Sequence, residues 1–397
     1  MKKVMIFTIS LFFCFCMQVQ GRNLHLTWED DPKTTMTLNW QDSDKKESKV
    51  KYGLTAKVLD KTADARVEKI ANIGTVKEKN KRKKVDKGFL YIYKAKLSDL
   101  KPSTQYYYLV ESEGSDVHTF TTAPEGNDNF TFIAGGDNCG NNKPVAELIK
   151  MAQRFNPRFF IHNGDILAPA DDVGDWNDFF KALLPLGFSM PIMPTPGNHD
   201  QDDDSDFKNY LARFALPQAK DAGLNYSFDY GNVHFVSALA AAQAPLSISK
   251  LSSTASWLAK DLASTKKKYK IVYAHAPLVS SGDHGIDEKA KSLFTPIFDK
   301  YHVDLYINGH DHGYERSKPV NFTLAEESAQ KTYKEGTCYL VTGGMGAPFY
   351  DFGGDWWTAK LIPQVHHLVR VDVSEEKLHI QTLDKGGQIL DDFNIEK

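Results

Sequence analysis

Cysteine is scarce in this sequence. Only four occur among 397 residues, and Cys14 and Cys16 fall within the first 21. The other two are Cys139 and Cys338. A chain of this length with so few cysteines is stabilised by its hydrophobic cores rather than by a framework of disulfides. The length, together with an apolar fraction of 41%, favours two domains.

The sequence also lacks an apolar run long enough to span a bilayer. The stretch from Val4 to Met17 falls short of the roughly 20 residues that a membrane-spanning helix needs. Two lysines precede it and small residues suited to cleavage follow it up to Gly21. Residues 1–21 are therefore predicted to be a signal peptide, and the mature protein to be periplasmic or extracellular with no transmembrane segment. A phenylalanine precedes both Cys14 and Cys16, which argues against a lipid anchor.

An excess of positive charge is missing as well. The formal net charge is -3 and the isoelectric point is near 6.5, so no global cationic field is available for nucleic acid. We predict no nucleic-acid partner, and any ligand must be recognised by a local site. The sequence carries no indication of the oligomeric state.

Short stretches of alternating apolar and polar residues occupy residues 25 to 122, which predicts an all-β sandwich. The phrase LSDLKPSTQYYYLV within it resembles a fibronectin type III domain. We place this domain at residues 22–124. It contains a lysine-rich run, residues 76–88, which lacks interleaved aromatics and is predicted to be a solvated hairpin tip without a function.

The pattern changes over residues 125–397. Buried-strand runs such as TFIAGG, RFFIHNG, PIMPT, YKIVYAH and VDLYING alternate with helical stretches such as KPVAELIKMAQRF and EKAKSLFTPIFDKY, which indicates α/β units. Each of these strands is followed by a polar side chain able to bind a metal. The carboxyl ends of parallel strands meet at one edge of a sheet, so these side chains are predicted to converge.

The candidate ligands are carboxylate, amide and imidazole groups, most of them next to a glycine: Asp137, Asp165, Asn198, His275, His310 and His312. Six such groups are able to hold two first-row metal ions about 3.5–4 Å apart. One carboxylate must then bridge the ions, since each would otherwise be poorly held. The neighbouring glycines allow the backbone to turn sharply beside the cluster.

The order Asp137, Gly164-Asp165, GNHD at 197–200, His275 and GHDH at 309–312 resembles the calcineurin-like metallophosphoesterase superfamily. GHDHGYER, following a fibronectin-like domain, resembles purple acid phosphatases and their bacterial relatives more narrowly. The resemblance covers nearly the whole mature chain. It implies an α/β (α+β) protein in which the sandwich precedes a four-layer α/β/β/α metallophosphoesterase domain.

The same resemblance implies residue roles. Asp165 would bridge two metal ions, with Fe, Zn or Mn the metals expected. Asn198, His275 and His310 would complete the protein ligands of one ion, while Asp137 and His312 would bind the other. His199 would face the phosphoryl oxygens or the leaving group, as an acid or an electrostatic stabiliser.

Two positions depart from the family patterns. Purple acid phosphatases have a tyrosine where this sequence has Ala168, so no purple charge-transfer band is expected. The wider superfamily often has a histidine where this sequence has Cys139. The thiol of Cys139 is either a metal ligand or an inert packed group beside a water ligand. A disulfide between Cys139 and Cys338 is a third alternative, disfavoured because Cys338 lies in an apolar strand.

Other candidates carry weaker signals. His284 lies downstream of His275 where related phosphatases have a substrate-contacting histidine. The same pattern is equally typical of an exposed loop histidine without a function. Asn138 is a candidate donor to a phosphate oxygen or simply a turn residue. Packing or solvent exposure is the simpler explanation for four further candidates: His162, Asp202–Asp204, Trp356 and Trp357. Asp311 and Tyr314 receive no role.

The functional prediction is an exported, metal-dependent phosphomonoesterase. Hydroxide activated by two metals would attack phosphorus directly and in line, without a phosphoenzyme. The substrate would be a small phosphate ester. A phosphodiesterase acting on nucleotide, lipid-headgroup or polymer diesters is one alternative, and a binding protein with weakened catalysis is a second.

Overall fold

The computed structural model describes residues 23–78, 81–168, 170–202, 206–218, 223–239, 248–324 and 336–397. The signal peptide predicted at residues 1–21 lies outside this part of the chain and stays a prediction. Within the described ranges no helix is both long and apolar enough to cross a membrane.

The N-terminal region consists of two antiparallel four-stranded sheets. The first has the order β1-β2-β6-β5 and comprises β1 (His25–Thr27), β2 (Met36–Asp42), β5 (Arg66–Glu78) and β6 (Lys81–Leu97). The second has the order β4-β3-β7-β8 and comprises β3 (Lys49–Gly53), β4 (Lys61–Asp64), β7 (Gln105–Val110) and β8 (His118–Thr121). Both sheets bury residues in one hydrophobic core. The predicted all-β fold of this region is confirmed.

The lysine-rich run lies where β5 and β6 pair, down to the pair Glu78 and Lys81. This hairpin also contacts the C-terminal region. Lys84 Nζ lies 2.5 Å from a carboxylate oxygen of Asp171, and the hydroxyl of Thr75 donates a hydrogen bond to Asp172. Part of the run therefore rests against the loop that follows Asp165 rather than standing free in solvent.

The C-terminal region contains two further sheets. The five-stranded sheet has the order β10-β9-β18-β19-β20, with β9 (Phe130–Gly135), β10 (Phe160–His162), β18 (His367–Val373), β19 (Lys377–Asp384) and β20 (Ile389–Glu396). The seven-stranded sheet has the order β11-β12-β13-β14-β16-β15-β17. Its strands are β11 (Tyr226–Tyr230), β12 (Val233–Ser237), β13 (Tyr269–Tyr273), β14 (Leu305–Asn308), β15 (Tyr314–Ser317), β16 (Cys338–Thr342) and β17 (Thr358–Ile362).

Helices cover the outer faces of these two sheets. The helices of the described residues are α1 (Asn142–Ala152), α2 (Val173–Gly187), α3 (Lys208–Arg213), α4 (Ile248–Ser264) and α5 (Glu288–Tyr301). The apolar faces of α4 and α5 pack on the outer face of the seven-stranded sheet, whereas α1 and α2 belong to the core of the five-stranded sheet. Between the sheets, the ring centroid of Phe235 lies 5.3 Å from that of Phe132 and 5.2 Å from that of Phe159. The predicted four-layer α/β/β/α arrangement is confirmed.

One predicted strand does not form. The stretch PIMPT, residues 191–195, is not a regular strand: it makes isolated bridges, Pro191 with Leu26 and Ile192 with Phe160, and its Met193 and Thr195 N–H groups donate to carbonyls of β10. The prolines at positions 191 and 194 have no N–H to donate, so the stretch forms fewer backbone hydrogen bonds than a regular strand. The bridge to Leu26 nevertheless links the N-terminal sheets to the C-terminal region just before the GNHD motif.

Candidate metal centre

Polar side chains gather at the carboxyl ends of the parallel strands, as predicted. β9 and β10 are parallel neighbours, and so are β13 and β14. Asp137 comes two residues after β9, Asp165 three after β10, and His275 two after β13, while His310 and His312 follow β14. Asn198 and His199 belong to the short 3-10 helix Asn198–Asp200. The candidate ligands therefore lie in turns that directly follow these strands.

Two groups of possible metal ligands share one residue. Within the described residues, the ligand atoms of Asp165, His275 and His310 all lie within 4.8 Å of one another, and so do those of Cys139, Asp165 and His312. A carboxylate has two oxygens, so Asp165 is able to serve both groups at once. This is the geometry that a bridging ligand between two ions needs.

The first group includes Asn198. His275 Nε2 lies 3.3 Å from Asp165 Oδ2, 3.0 Å from Asn198 Oδ1 and 3.2 Å from His310 Nδ1. Ring nitrogens this close, directed at an amide oxygen and a carboxylate, converge on a common point. Nitrogen and oxygen donors in this set suit Zn, Mn or Fe.

Asp137 shows an unsatisfied carboxylate oxygen. Its Oδ1 accepts a hydrogen bond from the backbone N–H of His310 at 2.8 Å and lies 3.7 Å from His312 Nε2. Its Oδ2 is buried and has no hydrogen-bond partner among the described residues. A buried carboxylate oxygen without a partner is costly unless a cation or donor meets it. Asp137 is not one of the three residues of the second group, but Oδ1 lies beside His312, so Asp137 is able to add a carboxylate to that group.

The electrostatics of the first group agree with a cation site. Burial alone would lower the pKa of His275, but Asp165 and Asp137 outweigh it and raise that pKa to about 10. Burial alone would raise the pKa of Asp165, whereas His275 and His199 lower it to about 2. Burial, followed by the charge of His275, lowers the pKa of His310 to about 2, which leaves its ring neutral. The charged ring of His275 thus balances Asp165, and a bound cation would take the place of its proton, because a metal ligand must be deprotonated.

The backbone is strained at four of these positions. Asp137, Cys139, Asp165 and His310 adopt left-handed conformations with φ of 60°, 44°, 54° and 70°. Residues other than glycine rarely adopt this conformation, and they cluster at functional sites when the surrounding structure enforces it. The left-handed backbone at these turns directs the four side chains toward the shared centre.

Cys139 is a free thiol. It is partly buried within the second ligand group, whereas Cys338 is buried in β16 and its thiol donates to the carbonyl of Ser317 at 3.6 Å. The disulfide alternative is therefore wrong for this structure. Burial, and then the charges of Asp165 and Asp137, raise the pKa of the Cys139 thiol.

His199 and His284 reach the open side of the centre. The side chain of His199 is 51% exposed, with Nε2 4.0 Å from Asp165 Oδ2, and its backbone N–H donates to Asp165 Oδ1 at 2.9 Å. The ring of His284 is 28% exposed and packs against that of His310, with the centroids 4.2 Å apart. Neither imidazole belongs to a ligand group, so both are available to a bound substrate.

Two residues at the centre escaped the sequence analysis. Asp200 is buried, and its carboxylate accepts hydrogen bonds from the backbone N–H groups of Ile166, Leu167 and Gly197, which joins the turns that carry Asp165 and Asn198. The ring of Tyr350 stacks on that of His312, with the centroids 4.2 Å apart, and the backbone N–H of Tyr350 donates to the backbone carbonyl of His312. The GNHD motif offered a signal for Asp200, but Tyr350 lies 38 residues after His312.

Several weaker candidates take structural positions. Asn138 is fully buried; its amide nitrogen donates to the Ile166 carbonyl at 2.7 Å, and its amide oxygen pairs with His162 Nε2 at 2.7 Å. These contacts favour a role in holding the turn over the predicted phosphate contact. Trp356 and Trp357 pack in the cluster beneath α5 rather than along the centre. Asp202 binds Asn209, while Asp203 and Asp204 lie outside the described residues.

Tyr314, which received no role from the sequence, ties the two sheets together. Its hydroxyl donates to Asp391 Oδ2 at 2.8 Å, and Arg316 binds the same carboxylate through Nε at 2.7 Å. Asp391 lies in β20 of the five-stranded sheet, whereas Tyr314 and Arg316 lie in β15. The YER part of GHDHGYER thus supports the sheets behind the centre.

Comparison with known proteins agrees with this geometry. Residues 115–314, half of the chain, match the calcineurin-like phosphoesterase family, and residues 22–122 match the purple acid phosphatase N-terminal domain. Acid phosphatase type 7 of Mus musculus is 27% identical over 96% of this chain and 95% of its own length. Purple acid phosphatase 21 of Arabidopsis thaliana is 29% identical over 64% of this chain and 58% of its own. A purple acid phosphatase from yellow lupin (Lupinus luteus) seeds shares the fold, with a TM-score of 0.78 at 19% identity over 94% of this chain and 74% of the lupin chain.

Proposed function

This chain belongs to the calcineurin-like phosphoesterase family and is a metal-dependent phosphoesterase, and we propose that it is an exported phosphomonoesterase. The observation that carries the proposal is the presence of Asp165 in both ligand groups. A single shared carboxylate between two sets of nitrogen, oxygen and sulfur donors is what a pair of ions requires. When bound, two such ions lower the pKa of a water molecule toward neutrality and polarise the phosphoryl group.

The ligand assignment follows the two groups. Asp165 would be shared by both ions, and Asn198, His275 and His310 would complete the ligands of one of them. Asp137 and His312 would hold the other, with either Cys139 or a water molecule as a further ligand. The geometry of both groups supports this division, since His275 Nε2 lies 3.0 Å from Asn198 Oδ1 while His312 Nε2 lies 3.7 Å from Asp137 Oδ1.

The remaining residues of the centre act on the substrate. His199 and His284 hold imidazoles at its open side, where they are able to donate protons or hydrogen bonds to phosphoryl and leaving-group oxygens. Direct in-line attack by hydroxide needs no nucleophilic side chain. Export rests on the predicted signal peptide at residues 1–21, and a periplasmic or extracellular phosphatase is the form we propose.

The choice between monoester and diester is tested with two aryl substrates. Purified mature protein loaded with Zn, Mn or Fe is expected to hydrolyse p-nitrophenyl phosphate faster than bis-p-nitrophenyl phosphate, measured as kcat/KM. Faster hydrolysis of the diester would replace the proposal by the phosphodiesterase alternative. Absence of turnover with every metal, on both substrates, would favour a protein that only binds its ligand.

Replacing Cys139 by serine tests the sulfur ligand. If the thiol binds the second ion, the variant should hold that ion roughly 10- to 100-fold more weakly, because an uncharged hydroxyl is a poorer ligand than a thiolate. Elemental analysis after dialysis against graded metal concentrations measures the loss. In cobalt-loaded protein, a thiolate-to-metal absorption band should be present in the wild type and absent in the variant.

The matched control is Cys338→Ser, since Cys338 is the second free cysteine among the described residues and lies in β16. It should keep both the metal content and the cobalt spectrum of the wild type. Identical affinities in wild type and Cys139→Ser, with no sulfur band in either, would make Cys139 a packing residue beside a water ligand.

A further inference from the structure

Asp311 lies between the two ligands His310 and His312 yet binds neither ion group. It is fully buried, and both of its carboxylate oxygens are occupied. Oδ1 accepts hydrogen bonds from the backbone N–H of His284 at 3.1 Å and from Nδ1 of the same residue at 2.9 Å. Oδ2 accepts the hydroxyl of Ser280. All three of these hydrogen bonds to Asp311 therefore come from the loop that carries His284.

The bond to the ring determines which nitrogen of His284 faces outward. A carboxylate only accepts hydrogen bonds, so Nδ1 carries the proton in this contact. In the neutral ring, Nε2 is then left as the acceptor, and in the charged ring it is a second donor. The partly exposed edge of His284 thus presents Nε2, in either state, to whatever occupies the open side of the centre.

Further contacts hold the same loop from behind. Ser280 Oγ also accepts the N–H of Gly282 at 3.0 Å, and Glu315 accepts the N–H of Ser281 at 2.6 Å. A Cβ atom at Gly282 would lie 2.6 Å from Asp311 Cγ, so only glycine allows the loop to approach the carboxylate this closely. The ring of His284 is then confined between His310 and Tyr350, with centroid distances of 4.2 Å and 5.0 Å.

We propose that Asp311 is a positioning residue that holds the ring of His284 with Nε2 directed at the phosphoryl group of the substrate. Asp311 acts only through His284 and contributes no ligand to the metal ions. The proposal rests on the proposed function, in which His284 contacts the phosphate. It predicts that the two residues behave as one unit.

A double-mutant cycle tests this unit. Asp311→Ala and His284→Ala should each lower kcat/KM for p-nitrophenyl phosphate roughly 10- to 100-fold and weaken binding of inorganic phosphate, measured by calorimetry on metal-loaded protein. The double variant should be no worse than His284→Ala alone. Asp311→Asn should recover part of the loss, because its amide oxygen is still able to accept the Nδ1 proton.

Two controls separate positioning from general support of the loop. Glu315→Gln alters a second tether of the same loop without touching the ring, and it should change phosphate affinity less than threefold. Metal content per chain should stay at the wild-type value in every variant. Additive losses in the double variant, or loss of metal from Asp311→Ala, would overturn the proposal.

The phosphate measurement keeps the two hypotheses apart. If the wild type hydrolyses no ester but binds phosphate, the proposed function fails and the cycle still reports on Asp311. If the loaded wild type hydrolyses esters while His284→Ala keeps wild-type phosphate affinity and kcat/KM, the function stands and the role of Asp311 is rejected.

Discussion

Asp165→Asn is expected to abolish the dinuclear centre. The substitution keeps the size of the side chain and an oxygen for the backbone N–H of His199, which donates at 2.9 Å. It removes the one charged group that both ligand sets share, and a neutral amide is unable to bridge two cations. Phosphate-ester hydrolysis should fall by at least about 10³-fold, and elemental analysis should find no more than one ion per chain.

The matched control for this variant is Asp64→Asn, because the side chain of Asp64 is 82% exposed in the N-terminal sheets. It should retain full metal content and activity. Thermal unfolding of Asp165→Asn without added metal should resemble that of the metal-free wild type, which separates loss of metal from loss of fold. Two tightly held ions together with normal turnover would show that Asp165 does not bridge.

His199→Ala should lower kcat roughly 10²- to 10³-fold and leave the metal content unchanged. Its imidazole stands 51% exposed at the open side of the centre and belongs to neither ligand group. The backbone N–H that binds Asp165 is present in alanine too, so the turn should keep its shape. A loss in kcat with two ions still bound would place His199 on the reaction itself.

The leaving group distinguishes the two roles open to His199. A general acid matters most when the departing oxygen is strongly basic, so an alkyl phosphate should lose more rate than p-nitrophenyl phosphate. An electrostatic stabiliser of the phosphoryl oxygens should cost both substrates equally. His366→Ala serves as the control, since that ring contacts only the Gly344 carbonyl and Phe349 in the described structure. Unchanged turnover of both esters would remove His199 from the mechanism.

Local patterns were sufficient for the ligand chemistry but not for every strand. A glycine beside a carboxylate or imidazole, after an apolar run, is a local feature, so Asp137, Asp165 and His310 were identified from the sequence. The apolar stretch PIMPT predicts a strand despite its two prolines. The stretch pairs only in part with β10, and the turn that follows still brings Asn198 to the centre.

The GNHD motif includes Asp200, but the contacts that Asp200, Asp311 and Tyr350 make were not predictable from the sequence. Each depends on contact with residues distant along the chain, such as the bond from the Ile166 N–H to Asp200 or the stacking of Tyr350 on His312. A single sequence shows that such side chains are polar or aromatic. It does not show which loop they will face, because loop conformation depends on packing from several elements at once.

The sequence by itself determined the class of this protein: a β region, then α/β units, and a set of candidate metal ligands in a fixed order. Strand periodicity and ligand type are properties of short stretches, so both can be recognised from the sequence without a structure. Only the tertiary structure decided how the ligands divide. Asp137 meets the N–H of His310 across 173 residues, and Asp165 joins two groups that include Cys139 and His312. Such meetings depend on strand order and left-handed turns, because these set the direction of each side chain, and no local pattern encodes them.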